Sequence, residues 1–453
     1  MSSDRAARID AFLQAGLDGY IAETAELCAQ PSVSATGEGT LECAALVAQI
    51  LERHGFRVER VATPGNPIVV GRAGGRSERT MLFYNHYDVQ PPDPLDLWTS
   101  PPFEPTLRDG ALYARGAKDD KGEFIARLAA VEAARAAGDG GLPCGVLFVV
   151  EGEEEIGSPH IAEFVRAHRD ALRCHGAVWE EGGLAASGRP ETTLGRRGIL
   201  AVELEVQTMA RDAHSGAAHI LPNAAWRLHR ALATLVGPDH RVLIRGFYDD
   251  VEPPSTRDLE MLAALPDEEP WLRQTYGVGA FVRGASGRAL SQAIFEPTCN
   301  IAGIAAGYQG PGMKTVIPAT ATCKIDFRLV PWQDPEDIFA KLRSHLDREG
   351  FPDVAVRRLG AMWPARVPVD DPLVGLTVRA AQEVYGVPAQ VRPIGGGSSP
   401  IYAFSRPLGI PVVTAGVGYA GNRTHAPDEH VRLVDFLNAA RHIARILDGF
   451  ADL

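Results

Sequence analysis

The feature that most restricts what this chain can become is a rhythm of short apolar runs alternating with stretches of helical periodicity. Apolar runs lie at Ile68–Gly71, Met81–Tyr84, Gly145–Val150 and Ala177–Trp179, and helical spacing fills about Lys121–Ala137 and Ile161–Leu172 between the later ones. Upstream, Ile9, Phe12, Leu13, Leu17, Tyr20 and Ile21 share one face of a helix expected over Asp4–Gln30. A second helix over Leu41–His54 stops at Gly55. Strands alternating with helices predict an α/β chain with a largely parallel, doubly wound sheet.

After Gly198 the texture changes. Ile199–Gln207 alternates as a half-buried strand does, Ala224–Leu235 is helical, Thr320–Val330 is strand-like, Pro335–Arg348 is helical and Val354–Leu359 alternates again. This describes a smaller α+β unit with an antiparallel sheet. From about Pro372 the α/β pattern returns, with a helix to Tyr385, the loop Gly395–Ser399, a strand at Ile410–Thr414 and a last helix near Leu433–Leu447. Residues 199–368 are therefore expected to be an insertion into a domain made of residues 1–198 and 369–453.

Composition removes several classes of function. Lys and Arg number 45 against 57 Asp and Glu, a net charge of −12 with no run of basic residues, so no nucleic-acid partner is expected. The longest apolar stretches, such as Cys144–Val150, fall far short of the about 20 residues a membrane span needs. The six cysteines are scattered without paired spacing and are expected to be small buried hydrophobes in a reducing compartment. Met1–Asp10 carries Asp4, Arg5, Arg8 and Asp10 and has no apolar signal core, which predicts a cytoplasmic address.

Ligands of an open parallel sheet bind beyond the carboxyl ends of its strands. Asn85-His86-Tyr87-Asp88 follows the second apolar run, Glu151 to Glu155 the third, Glu180-Glu181 the fourth, and His425 follows Ile410–Val417 through a glycine loop. Each alone has an ordinary structural explanation, as a turn or an acidic helix start. Together at one sheet edge, four unneutralised carboxylates would repel one another strongly, and divalent cations resolve that conflict. Histidines and carboxylates without cysteine suit zinc, with manganese or cobalt as alternatives. A carboxylate shared by two cations is expected from Asp119 or Asp120, at the start of a helix.

These residues carry a family resemblance. The segments Asn85–Pro91, Arg115–Gly122, Glu151–Ser158, Asp212–Gly216 and His425–Glu429 occur in the order seen in the co-catalytic metallopeptidases. That family includes carnosinase-type cytosolic dipeptidases, aminoacylases, succinyl-diaminopimelate desuccinylase and glutamate carboxypeptidases. The chain resembles it over nearly its whole length, and the spacing from His86 to Asp119 is similar to that of the dipeptidase branch. The resemblance implies two divalent metal ions: His86 on one, Asp119 bridging, Glu155 and His425 on the other. Glu180 is assigned as the remaining ligand of the first metal, with Glu181 as the alternative. Asp88 would orient His86, and a cis peptide is implied at Asp119–Asp120.

By the same resemblance Glu154 is the general base, taking a proton from a water held between the metals and returning it to the departing amine. The inserted domain would act as lid and homodimer contact. It supplies His214 as donor to the tetrahedral oxyanion, Arg328 to the substrate carboxylate, and Asn300 near the substrate. Gly397 and Ser398, in the loop Gly395–Pro400, would line the substrate, the glycines forming an anion-binding nest. Ala217-Ala218-His219 departs from the glycine pair of relatives and bears on where His214 sits. The expected activity is hydrolysis of an amide bond next to a free carboxylate, as a dipeptidase. The alternatives are an N-acyl-amino-acid deacylase and, from another class, a metal-dependent binding protein with a vestigial site.

Overall fold

The computed structural model of the chain describes residues 3–138 and 140–453. In chain order, its two main sheets are built from β1 (Arg57–Val61), β2 (Ile68–Ala73), β3 (Thr80–His86), β4 (Gly145–Glu151), β5 (Gly176–Trp179), β6 (Gly198–Gln207), β7 (Thr298–Ala306), β8 (Thr320–Leu329), β9 (Ala355–Met362) and β10 (Val412–Thr414). The helices used below are α1 (Ser3–Ala29), α2 (Thr40–Arg53), α3 (Lys121–Ala137), α4 (Ala224–Leu232), α5 (Pro335–Arg348), α6 (Pro372–Tyr385) and α7 (Leu433–Phe450). The chain divides into two compact units. The first comprises residues 1–195, 367–393 and 403–453; the second comprises residues 196–366 and 394–402. The short segment Ile394–Tyr402 thus clusters with the second unit, although its neighbours on both sides belong to the first.

The first unit carries a six-stranded sheet in the order β1-β2-β4-β3-β5-β10. From β4 to β10 all neighbours are parallel, while β1 and β2 run antiparallel along one edge. Every residue of β4 is buried, as expected of a parallel strand covered on both faces. Alternation sends Phe83 and Phe148 to one face, where Phe148 meets Phe124 of α3 edge-on at 5.6 Å. The opposite face carries Tyr84 and Trp179, stacked at 3.7 Å, with Phe404 edge-on to both. Helix α3 is buried along most of its length, and its many alanines let α1 and α7 pack close to it.

The second unit is built on a four-stranded antiparallel sheet in the order β7-β8-β6-β9. In β6 the alternation is regular: Leu200, Val202, Leu204 and Val206 face the core and pack with Phe327 of β8, Leu228 of α4 and Leu342 of α5. Among the described residues no helix is long and apolar enough to cross a membrane. All six cysteines are free.

Candidate active site

Within the first unit, the carboxyl ends of β3, β4 and β5 deliver polar residues directly after apolar runs. His86 closes β3, Glu154 and Glu155 form a single 3₁₀ turn after β4, and Glu180 follows β5. Asp119 and Asp120 immediately precede α3 and are joined by a cis peptide. His425 lies on the loop after β10 with φ at 60°, a left-handed conformation uncommon for a non-glycine residue.

Two groups of potential ligand atoms result, each drawn together within 4.8 Å: His86, Asp120 and Glu180 in one, Asp119, Glu155 and His425 in the other. Asp119 also reaches the first group. Its Oδ1 lies 3.2 Å from His86 Nε2, and its Oδ2 lies 3.1 Å from His425 Nε2. Glu180 Oε2 is 3.7 Å from His86 Nε2, and Glu155 Oε2 is 3.2 Å from His425 Nε2. Of the glutamate pair after β5, Glu180 is buried and belongs to a ligand group, whereas Glu181 is partly exposed, has a φ of 75° and belongs to neither group. Asp120 accepts from Asn85 Nδ2 at 2.6 Å and from the His86 N–H at 3.0 Å through one oxygen. Its other oxygen, like Glu180 Oε2, is buried without a hydrogen-bond partner. Two orphaned carboxylate oxygens beside an imidazole nitrogen are what a cation-binding cradle requires, and the donor set fits zinc, manganese or cobalt.

Asp88 contacts both His86 and the glutamate turn. His86 Nδ1 donates to the main-chain carbonyl of Asp88 at 2.9 Å, nearer than the 3.4 Å to its carboxylate. Nδ1 is thereby occupied as a donor, and Nε2 is left facing Asp119 and Glu180. Against burial, these two carboxylates and Asp88 hold the ring well above its ordinary pKa; loss of the Nε2 proton would free that nitrogen for a cation. The Asp88 carboxylate instead accepts the N–H groups of Glu154 (3.2 Å) and Glu155 (3.0 Å). It therefore orients the glutamate turn as well as the histidine.

The electrostatics follow from burial and crowding. Burial lifts Glu154 to about 8, with the charges of Asp119, Glu155 and Glu151 adding to it and His86 opposing. Burial and the Glu154 charge likewise raise Glu180 well above the carboxylate range. Asp119 is buried too, but Lys118, His425 and His86 hold it well below that range. Hydrogen bonds to Asp119 and Glu155 raise His425 to about 10. The cluster thus balances its acids with protons on neighbouring groups, a role that divalent cations perform equally well.

The remaining candidates lie in the second unit. His214 is exposed; its Nδ1 accepts the Gly216 N–H at 3.0 Å, and its Nε2 is 3.4 Å from Thr315 Oγ1. Arg328 Nη1 donates to Ser398 Oγ at 2.8 Å, and the Gly397 carbonyl accepts the Arg197 N–H at 3.1 Å. Asn300 is exposed and donates to Asp326 at 2.9 Å. The expected glycine nest is not formed, because none of Gly395, Gly396 and Gly397 adopts a left-handed φ. A Cβ at Gly395 would meet the flexible end of Arg196, and one at Gly397 would meet nothing among the described residues within 4 Å.

Glu429, Arg115 and Lys118, which lie within the motifs, form a supporting network of their own. Glu429 is fully buried; its Oε1 accepts the Lys118 and Asp119 N–H groups, each at 3.0 Å, and its Oε2 accepts from Arg115 at 2.6 Å. Arg127, outside every motif, is a further supporting residue, donating to Asn85 Oδ1 at 3.0 Å. The available signal was a charged side chain inside the apolar stretch Phe124–Val131.

Comparison with known proteins agrees with this geometry. The beta-Ala-His dipeptidase of Homo sapiens is 28% identical over 431 residues, which cover 90% of this chain and 84% of that protein. The Cys-Gly metallodipeptidase dug1 of Schizosaccharomyces pombe is 28% identical over 397 residues, covering 83% of this chain and 81% of the relative. Among solved structures, the M20 family metallo-carboxypeptidase Sso-CP2 from Sulfolobus solfataricus superimposes with a TM-score of 0.89 at 34% identity, covering 96% of this chain and 99% of that one. With a family model matching residues 82–449 as well, the chain belongs to the peptidase family M20/M25/M40.

Proposed function

We propose that the chain is a metal-dependent dipeptidase, cleaving the amide bond of a small peptide next to its free carboxylate. One observation carries this reading: the two oxygens of Asp119 face two different histidines, His86 and His425, with Glu180 beside the first and Glu155 beside the second. His86, Glu180 and Asp119 would hold one divalent cation, and Asp119, Glu155 and His425 the other. Zinc is the proposed metal, because the donors are imidazoles and carboxylates without thiolate. When bound, such a pair supplies a polarised carbonyl and an acidified water.

The chain's own residues do the rest. Glu154, held on its turn by Asp88, accepts a proton at its carboxylate and returns it to the leaving amine nitrogen; a carboxyl lifted toward neutrality can do both. In the second unit, the Gly216 N–H occupies Nδ1 of His214, so the ring hydrogen sits on Nε2, the tautomer suited to donating to a developing oxyanion. Arg328, braced by Ser398, offers a planar fork to the substrate carboxylate, with Gly397 and Asn300 contributing nearby contacts.

The second unit is proposed as the lid and as the contact of a homodimer. Its edge strand β7 exposes Ile301 and Ile304, a surface suited to pairing. A cytoplasmic address is proposed on the six unpaired cysteines. The net charge of −12 supports a reading without nucleic acid, and none of the described helices suits a membrane.

A substrate panel tests the function. The reconstituted protein, with zinc and separately with manganese, is assayed on dipeptides, on longer peptides, and on N-acetyl and N-succinyl amino acids. The reading expects dipeptides to be turned over best. Turnover of acylated amino acids without dipeptide cleavage would make the chain a deacylase. Trimming of longer peptides at the carboxyl end would place it with the carboxypeptidase whose structure it resembles.

A further inference from the structure

Arg127 lies near the middle of α3 and is fully buried. A buried guanidinium is costly unless its donors are satisfied. The two Nη groups of Arg127 converge on one spot, while its Nε is buried without a partner among the described residues. Nη1 donates to the Tyr84 carbonyl at 2.5 Å and to Asn85 Oδ1 at 3.0 Å, while Nη2 donates to the Trp179 carbonyl at 2.5 Å.

Strands β3 and β5 are paired only as far as Phe83 and Val178. The next carbonyls of the two strands, Tyr84 and Trp179, are the ones the guanidinium takes. Its rigid fork therefore supplies a rung where the ladder between the strands ends. The chain beyond that rung is the candidate site: Glu180 follows Trp179 directly, and His86 is two residues after Tyr84. Asn85 extends the clamp, donating through Nδ2 to the Asp120 oxygen that also accepts the His86 N–H. One side chain thus ties His86, Asp120 and Glu180 to one another. Among the described residues Arg127 makes no hydrogen bond to Asp119, Glu155 or His425.

We infer that Arg127 is a positioning residue for one cation site only, the one formed around His86 and Glu180, and that it acts through the Tyr84 and Trp179 carbonyls and Asn85. This rests on the reading of the two ligand groups as cation sites. It separates the two sites in a measurable way, since the clamp grips one group directly and meets the other only through Asp119, the carboxylate that faces both histidines.

The test is zinc affinity of the full chain, stripped of metal and titrated in competition with a chromophoric chelator. Wild type is compared with Arg127→Met, Arg127→Lys and Asn85→Ala. Wild type should take up two ions. In each variant one binding step should weaken by about 10–100-fold, the usual effect of losing an outer hydrogen-bond partner of a ligand. The other step, linked to the clamp only through the shared Asp119, should weaken clearly less than the first. Lysine keeps the charge but not the fork, so Arg127→Lys should behave like Arg127→Met. Asn85→Ala leaves the guanidinium on its two carbonyls and decides the matter if the Arg127 variants do not fold. Two steps weakened alike, two steps unchanged, or full affinity in Arg127→Lys would each overturn the inference while leaving the two-cation reading intact. A wild type that binds no zinc would bring down that reading and the inference with it.

Discussion

Asp119 Oδ2 and His425 Nε2 lie 3.1 Å apart, although the two residues come from segments of the first unit that the second unit separates in sequence. What holds them together is the loop that carries the histidine. His425 sits at a positive φ and is half-exposed, so its own packing does not fix it. Three residues further on, Asp428 accepts from the Thr99 N–H, the Thr99 hydroxyl and Arg108. Glu429 then reaches inward to the amides of Lys118 and Asp119. The loop is thus pinned just after the histidine, by Asp428 to Thr99 and Arg108 and by Glu429 to the segment that carries Asp119.

Metal uptake should release protons. His425 is held at about 10 by hydrogen bonds to Asp119 and Glu155, and burial raises Glu154 to about 8. At pH 7 both carry a proton in the ion-free protein, and a histidine must lose its own to bind a metal. Apparent zinc affinity should therefore rise with pH by about tenfold per unit for each proton displaced. Titration in weakly buffered solution with a pH dye checks this; uptake without acidification would contradict it.

Glu154→Gln should abolish turnover while preserving the ions. The amide keeps the shape and the backbone contact to Asp88 but cannot accept the proton. Loss of a general base of this kind costs about 10²–10⁴-fold in kcat. Steady-state kinetics with parallel metal analysis would show the split. Undiminished kcat would remove Glu154 from the reaction, and lost metal would make it a ligand instead.

Glu429→Gln should be a stability mutation more than a kinetic one. Arg115 and Glu429 form an ion pair at 2.6 Å, with 1% and 0% of their side chains exposed. Neutralising one partner leaves a buried charge uncompensated, at a cost of about 3–5 kcal/mol. Urea unfolding of the two proteins in the same metal buffer measures it, and a difference within about 0.5 kcal/mol, typical of surface changes, would contradict it.

His442 gives the fold an acid sensitivity separate from the active site. Burial lowers its pKa to about 4, helped by the charge of Arg445 and opposed by the hydrogen bond to the Thr377 carbonyl. The folded value lies below the ordinary 6.5, so the unfolded chain binds the proton more readily between those limits. The contribution is complete above pH 6.5 and lost as pH falls to 4, a swing of about 3 kcal/mol. His442→Gln retains a donor for Thr377 and does not titrate. Its unfolding free energy should fall less between pH 7 and 4.5 than that of wild type; equal slopes would contradict the assignment.

The buried elements were readable because burial writes itself into sequence. The helix expected at Lys121–Ala137 is found with those limits, and β3, β4 and β5 lie where the apolar runs are. What escaped has no such signature. Strand β1 reads Arg-Val-Glu-Arg-Val at a sheet edge, and β7 is exposed on most positions, so neither shows an apolar run or a clean alternation. The short helices Thr256–Ala264 and Glu269–Tyr276 bury little and were equally silent. In the site, residue types at strand ends pointed to the carboxylate cluster, because chemistry needs those types in that place. The clamp by Arg127 and the amide contacts of Glu429 depend on main-chain groups, whose positions no residue type reveals.

Anomalous diffraction at the zinc edge, from crystals grown with zinc, tests the central proposal most directly. The account predicts two strong peaks per chain, one between His86 and Glu180 and one between Glu155 and His425, both within bonding distance of Asp119. A single peak, peaks elsewhere, or none would contradict it.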